Sequence, residues 1–343
     1  MPPTLNESAE LIEVIPHLKR PVTAMLDRYF NRERQFRTKK VLLDHVTRRR
    51  RVAPWVSPKV EGVIIERDRF RTEVIEPGYI KPKMVFDPDD NFERTPGEQP
   101  LGDLDPMTRH NANVAMGLEE LIDMLWRRKE LMAVELLLTG KVTVKGLKYP
   151  EMVLDFARHA DMLPSALSGG ARWDQSTGKP LTQFGVASRT MVKHSGIGVV
   201  DCVMGYEAFD AFKGNPSIEG KLQSIVPQGV QFAPAVTASE GLTLQGRFDN
   251  VNIYTYYGLY EDPDTGTVTE MFPAKKVMWT SPLFDGIRLY GAIRDGKAGY
   301  QPMPIFPKMY EDDDPADVFL MVQSAPMLAP SDVNAAYVQQ VVD

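Results

Sequence analysis

The sequence predicts an α+β fold from three observations: one very long helix, a proline-bracketed β-hairpin ahead of it, and a series of strands behind it. The helix is the stretch DPMTRHNANVAMGLEELIDMLWRRKELMAVELLLTG, from Asp105 to Gly140. Asp105 is placed to accept hydrogen bonds from the free N–H groups of a first turn, and Pro106 has the φ of a first helical residue. Gly140 is suited to the left-handed closing position. At 1.5 Å per residue the rod measures roughly 50 Å, against a mean globular helix of about 11–12 residues. Val114, Leu118, Leu121, Ile122, Leu125, Met132 and Leu136 recur three or four apart and form one apolar stripe. Arg127, Arg128, Lys129 and Glu130 read as a solvated collar across it.

Taken in order, residues 1–55 read as an extended arm. A short amphipathic helix falls near Ser8–Leu18, followed by a basic stretch with little capacity to form a core. From Val56 to Lys83, Pro58, Pro77 and Pro82 bracket two β-prone runs, Val60–Glu66 and Thr72–Ile75, with a charged bend at Arg67–Arg69; together they predict a two-stranded hairpin. An isolated hairpin is marginal in water, so it should lie against something else. After the rod, KVTVKGLKYPEMVLDF supplies strands and Leu167–Leu181 a Gly-rich connector. A helix at about Gln183–Lys193 and strands at Val199–Met204, Val251–Tyr257 and Val277–Thr280 form a second unit. Tyr260–Gly266 is a hairpin turn, and Val318–Met327 is a final strand remote in sequence from its partners.

Bulk properties exclude several classes. The 343 residues suffice for two compact units. No run approaches the ~18 apolar residues of a membrane span, and the N-terminus lacks the basic start and apolar core of a signal peptide. The single cysteine, Cys202, excludes an internal disulfide framework and reads as an inert core thiol. A net charge of −6 points away from a dedicated nucleic-acid binder. Against that trend, Asn31–Arg51 carries nine basic residues, including the run Arg48, Arg49, Arg50 and Arg51. Such a run is solvated or pairs with an acidic surface, and acidic clusters at Phe86–Glu93 and Tyr310–Asp317 could complement it between neighbouring copies.

Local motifs for chemistry fail on inspection. The five histidines have no zinc-protease spacing. Gly178-Lys179 lacks the first glycine of a phosphate loop, where Trp173 stands, and Pro180 replaces the hydroxyl that would hold Mg2+. Ser195–Asp201 lacks the third glycine of a dinucleotide turn and precedes a strand. Asp262, Asp264 and Gly266 lack the downstream glutamate of a calcium loop. A hydrolase using the Asp262–Asp264 pair is retained only as an alternative.

The order of segments resembles the major capsid proteins of lambda-like tailed bacteriophages. The residues that carry it are VSP with PGYIKPK (Val56–Pro58, Pro77–Lys83), DPMTR leading into the helix that ends LTGKVTV, and SGGARW (Ser168–Trp173). YYGLYED with the following FP, VMWTSPLFDGIRLYGAIRD (Val277–Asp295), FPK (Phe306–Lys308) and FLMVQSAPMLAP (Phe319–Pro330) complete the series. The resemblance implies the tailed-phage capsid fold shared with herpesvirus shells. It divides the chain into an N-terminal arm (1–55), an E-loop hairpin (56–92), a peripheral domain (93–180) with a spine helix (106–139), an axial domain (181–310) and a return strand with the C-terminus (311–343). It further implies an icosahedral shell of hexamers and pentamers around double-stranded DNA. Assembly would use a scaffold protein, a portal at one vertex and in some cases a decoration protein near the arm and E-loop, with no cofactor or metal. The implied location is the virion, reached from the host cytoplasm. The implied assembly residues are Val60, Val63, Ile65, Val74, Pro77, Gly78, Tyr79, Lys81 and Lys83, with Arg48–Arg51 as inter-subunit charge. A bacterial nanocompartment of the same fold is the other alternative.

Overall fold

The computed structural model of the chain describes residues 8–15, 18, 21–46, 51–65, 70–93, 105–146, 149–218, 231–232, 241–312 and 317–343. Its helices are α1 (Ser8–Val14), α2 (Ala24–Tyr29), α3 (Pro106–Thr139), α4 (Pro180–His194) and α5 (Tyr206–Lys213). The rod, α3, begins at the cap the sequence specifies: the Asp105 carboxylate accepts the Thr108 N–H at 3.3 Å. It closes on Gly140 at φ 74°, where a Cβ would lie 2.8 Å from the Cβ of Arg158.

One helix serves two cores. The first half of α3 buries Val114, Leu118, Leu121, Ile122 and Leu125 against Phe86, Met309, Val318, Leu320 and Val322. Those partners lie on one face of an antiparallel sheet formed by Phe306–Glu311, Val318–Gln323 and Lys83–Phe86. Close approach there is set by Gly117, whose hypothetical Cβ would stand 2.5 Å from the Phe86 ring. The second half buries Met132, Ala133, Leu136 and Leu137 in a larger core with Met25, Leu26, Tyr29, Phe30, Met278 and Met327. Each large side chain so buried contributes about 1.5–3 kcal/mol.

A mixed sheet lies beyond α3, in the order Ala336–Gln340, Lys276–Thr280, Asp201–Met204, Val251–Tyr257, Gly241–Phe248 and Gln231–Phe232. Asp201–Met204 pairs parallel with Val251–Tyr257, and the remaining neighbours run antiparallel. α4 and α5 pack on it through Phe184, Met191 and Phe212, around the edge-to-face pair Trp173 and Trp279. Cys202 is wholly buried there, and burial raises its thiol pKa.

Four readings from the sequence need correction. The arm is not poor in core residues, because Met25, Leu26 and Tyr29 of α2, with Phe30, lie wholly buried in the largest cluster. Arg32–Gln35 then joins Ile287–Tyr290 as a parallel edge strand. The hairpin is built differently from the expectation: Phe70–Ile75 pairs with Val41–Val46, while Val60–Ile65 is exposed and not a strand. Lys129 and Glu130 are buried and not part of a solvated collar. Finally, Val318–Met327 is two strands, Val318–Gln323 and Pro326–Ala329, in different sheets, and Ala336–Gln340 follows as the last strand. The charged bend at Arg67–Arg69 lies outside the described residues.

Candidate assembly surface

The projecting feature of the chain is the hairpin of Val41–Val46 and Phe70–Ile75 and the segment 51–65 between its arms. No third strand pairs with it among the described residues, so its own hydrogen bonds give marginal stability at best. Segment 51–65 is exposed throughout and carries Val52, Trp55, Val56, Val60, Val63, Ile64 and Ile65. Trp55 is fully exposed and Ile64 is 91% exposed. A run this rich in uncovered apolar side chains is a candidate interaction surface.

The root is fixed where the tip is free. Ile75, Pro77 and Gly78 are buried, and a Cβ on Gly78 would meet Val144 Cγ1 at 3.0 Å. Tyr79 hydrogen-bonds to Gln323 through its hydroxyl, which also accepts the Arg294 N–H at 3.2 Å. Glu76 pairs with Arg294 at 2.9 Å and Lys39 at 3.2 Å. Ile80 bridges to Ser324, so the chain passes directly from the root into the sheet that covers α3. Lys81 and Lys83 line a basic depression with Lys297 and Lys308, and the Lys83 ammonium lies 4.3 Å from the Phe319 ring centroid.

Apart from Lys81 and Lys83 in the basic depression, the residues expected at the assembly surface divide into two groups. Val60, Val63, Ile65 and Val74 are exposed apolar positions on the projection, and Pro77, Gly78 and Tyr79 anchor its base. Arg51 is exposed, whereas Arg48–Arg50 lie outside the described residues. Asp262 and Asp264 sit on the tight turn between Leu259–Glu261 and Val268–Glu270, where the Asp262 carboxylate accepts the Asp264 N–H at 2.8 Å. They shape that turn.

A second set of polar anchors, unread in the sequence, holds α2. Glu130 of α3 accepts the Met25 and Leu26 N–H groups at 2.8 and 2.9 Å, and the Tyr256 hydroxyl at 3.1 Å. A buried carboxylate therefore caps α2 at its positive end. Arg288 grips the other end, donating to the Leu26 and Phe30 carbonyls and to Asp27. Wholly buried Asp201 accepts two bonds from Arg28 at 2.7 and 2.8 Å, one from Tyr29 at 3.1 Å and one from Asn252 at 3.2 Å. At the far end of α3, Arg158 donates to the Leu136 and Leu137 carbonyls and to that of Val333. The side chains grouped at metal-ligand distances among the described residues are His159, Asp161 and His194.

Burial raises the Glu130 pKa to about 7, outweighing the hydrogen bonds from Met25, Leu26 and Tyr256 that favour the carboxylate. An acid whose pKa is higher folded than unfolded holds its proton more tightly in the folded chain. Its contribution to stability is therefore full below an ordinary pKa of 4.5 and is lost as pH rises through 7. At ~1.4 kcal/mol per pH unit the loss across that window is about 3 kcal/mol. Thermal unfolding at either end of the window should show this decline in the wild type and a flatter profile in Glu130→Gln. Equal declines would remove Glu130 as the cause.

A stiff helix thus joins two cores, and an exposed apolar segment springs from a firmly anchored base. The model of the family described as phage major capsid protein E matches residues 7–340, and the chain belongs to that family. The P21 prophage-derived major head protein of Escherichia coli O6:H1 strain CFT073 is 29% identical over 323 residues, which cover 92% of this chain and 93% of that protein. The major capsid protein of Escherichia phage lambda is 27% identical over 316 residues, 89% of each chain. A prophage capsid protein of E. coli CFT073, solved by crystallography, superposes with a TM-score of 0.76 at 19% identity over 98% of this chain and 99% of that one. The capsid structure of cyanophage P-SCSP1u follows at 0.53 and 11%, over 94% and 89%. The protein is accordingly a structural subunit of a bacteriophage capsid with the tailed-phage capsid fold, and its family is not one of enzymes. It self-assembles into the shell of the virion.

Proposed function

We propose that this subunit builds the shell as hexamers and pentamers in which residues 51–65 of each copy lie over the adjacent one. The observation that carries the reading is the exposure of seven large apolar residues between positions 51 and 65, in a hairpin whose base is firmly held. Rotationally related copies then make heterologous contacts that close into rings, and rings join into the shell. Burial at about 25 cal/mol per Å2 accumulates over every copy. In this reading the E-loop begins at the Val41–Val46 arm, α3 is the spine, and the mixed sheet with α4 and α5 belongs to the axial part. Arg48–Arg51 supply charge toward acidic neighbours.

The shell encloses double-stranded DNA without gripping it, a role that suits a net charge of −6 because a basic wall would hinder packaging and release. Subunits collect in the host cytoplasm and assemble with a scaffold protein around a portal, and a decoration protein would bind near the arm and E-loop. The names of the relatives favour a phage head over a nanocompartment. The test is to express the chain alone and with its scaffold and examine the products by electron microscopy. Closed shells are expected. A small soluble species under every assembly condition contradicts the proposal.

A further inference from the structure

We propose that His159, Asp161 and His194 form a binding site for a divalent transition metal, with Zn2+ the best match, at the joint between α4 and the segment that caps α3. Asp161 Oδ2 lies 2.9 Å from His194 Nε2 and 3.7 Å from His159 Nδ1. The ligand atoms of the three residues all fall within 4.8 Å of one another. Tetrahedral Zn2+ with bonds of ~2.0–2.2 Å keeps its ligand atoms about 3.3 Å apart, and the two distances bracket that value. The imidazole rings stack with centroids 4.0 Å apart and planes 29° from parallel, so both present their edges to the same carboxylate. Two neutral imidazoles and one carboxylate are a borderline-soft set suited to Zn2+ and its neighbours in the first transition row, with a fourth position left to water.

The ligands are held from separate parts of the chain. His194 occupies the last turn of α4 and is mostly covered. The backbone N–H of His159 is fixed by the Asn334 side chain at 2.9 Å. Its Nδ1 accepts the Asp161 N–H at 3.1 Å, so that nitrogen is unprotonated but its one lone pair is engaged, and this bond must give way when Nδ1 takes a metal. Next in sequence, Arg158 closes the C-terminus of α3 by its bonds to Leu136 and Leu137. A metal here fastens the sheet-bound helix α4 to the end of the long helix, across the boundary between the two larger cores. Besides that bond, the Lys193 ammonium lies 3.5 Å from Asp161 Oδ2 and must swing aside when a cation enters.

The experiment uses the untagged full chain, freed of metal by chelator and titrated with ZnCl2 by calorimetry and with CoCl2 by visible absorption. We expect one equivalent bound, the d–d absorption of four-coordinate Co2+, and a rise in Tm with Zn2+ that chelator reverses. His194→Gln and Asp161→Asn should each weaken binding at least tenfold while unfolding near the wild-type temperature without metal. Lys193→Gln should tighten binding by removing the competing charge. The proposal is overturned if Zn2+ binds only in the millimolar range, because the three side chains then simply satisfy one another. It is equally overturned if His194→Gln and Asp161→Asn bind as the wild type does.

Discussion

Replacing Val63 and Ile64 together with aspartate is expected to abolish shell formation while leaving the subunit folded. Both side chains are exposed on a segment remote from either core, so their loss removes little from the fold; exposed substitutions of this kind shift stability by about 0.5 kcal/mol or less. The cost falls at the contact between copies. An apolar interface that receives two carboxylates must bury them without partners, at several kcal/mol for each ion. That cost recurs at every subunit contact in a ring and therefore defeats closure. The expected readout is a Tm within a degree or two of the wild type, with sedimentation and micrographs showing only subunits or small oligomers. Shells at the wild-type yield would mean that the tip is not at the contact.

The second large effect is within the subunit. Asp201→Asn should destabilise the folded chain by about 3 kcal/mol, because it leaves the Arg28 guanidinium beside a neutral amide with no other anion bonded to it among the described residues. Arg28 keeps 31% of its side-chain surface exposed, which places the figure at the lower end for breaking a buried pair. For a chain of this size the fall in Tm is about 4 °C. A guanidinium is not deprotonated in proteins, so the charge on Arg28 cannot be shed to relieve the defect. The double variant Arg28→Met with Asp201→Asn removes the stranded charge and should be less destabilised than the sum of the single changes. Additive losses would show that the pair is not coupled.

Parts of this structure are legible in the sequence because local chemistry decides them. Asp105, Pro106 and Gly140 delimit α3 correctly because capping is a property of a few adjacent residues. Lys129 and Glu130 show where such reading fails. Lys129 follows Leu125 by four positions and precedes Met132 by three, so the helical spacing itself places it on the buried stripe. Its charge masks that signal, and the carbonyl and aromatic rings that receive the ammonium, Pro304, Trp126 and Tyr290, are largely remote in the chain.

The hairpin misled for a related reason. Val60–Ile65 has β-prone side chains with no strand to pair with, while the apolar run Val41–Val46 finds Phe70–Ile75 across an intervening loop. Apolar content thus records both burial in the subunit and burial between subunits, and a single chain does not separate them. The core role of Met25, Leu26, Tyr29 and Phe30 is hidden by the basic residues that follow, since α2 is six residues long and owes its stability to Glu130 and Arg288. Asp201 and the His159–Asp161–His194 group are invisible to spacing rules, because their members meet only through the tertiary fold.

The measurement that tests the central claim most directly is a near-atomic electron cryo-microscopy map of the assembled particle, traced through residues 41–75 of one subunit. The account predicts that Trp55, Val63 and Ile64 are seated against an adjacent copy. A map in which that segment folds back onto its own subunit, or stands in solvent on every copy, would contradict it.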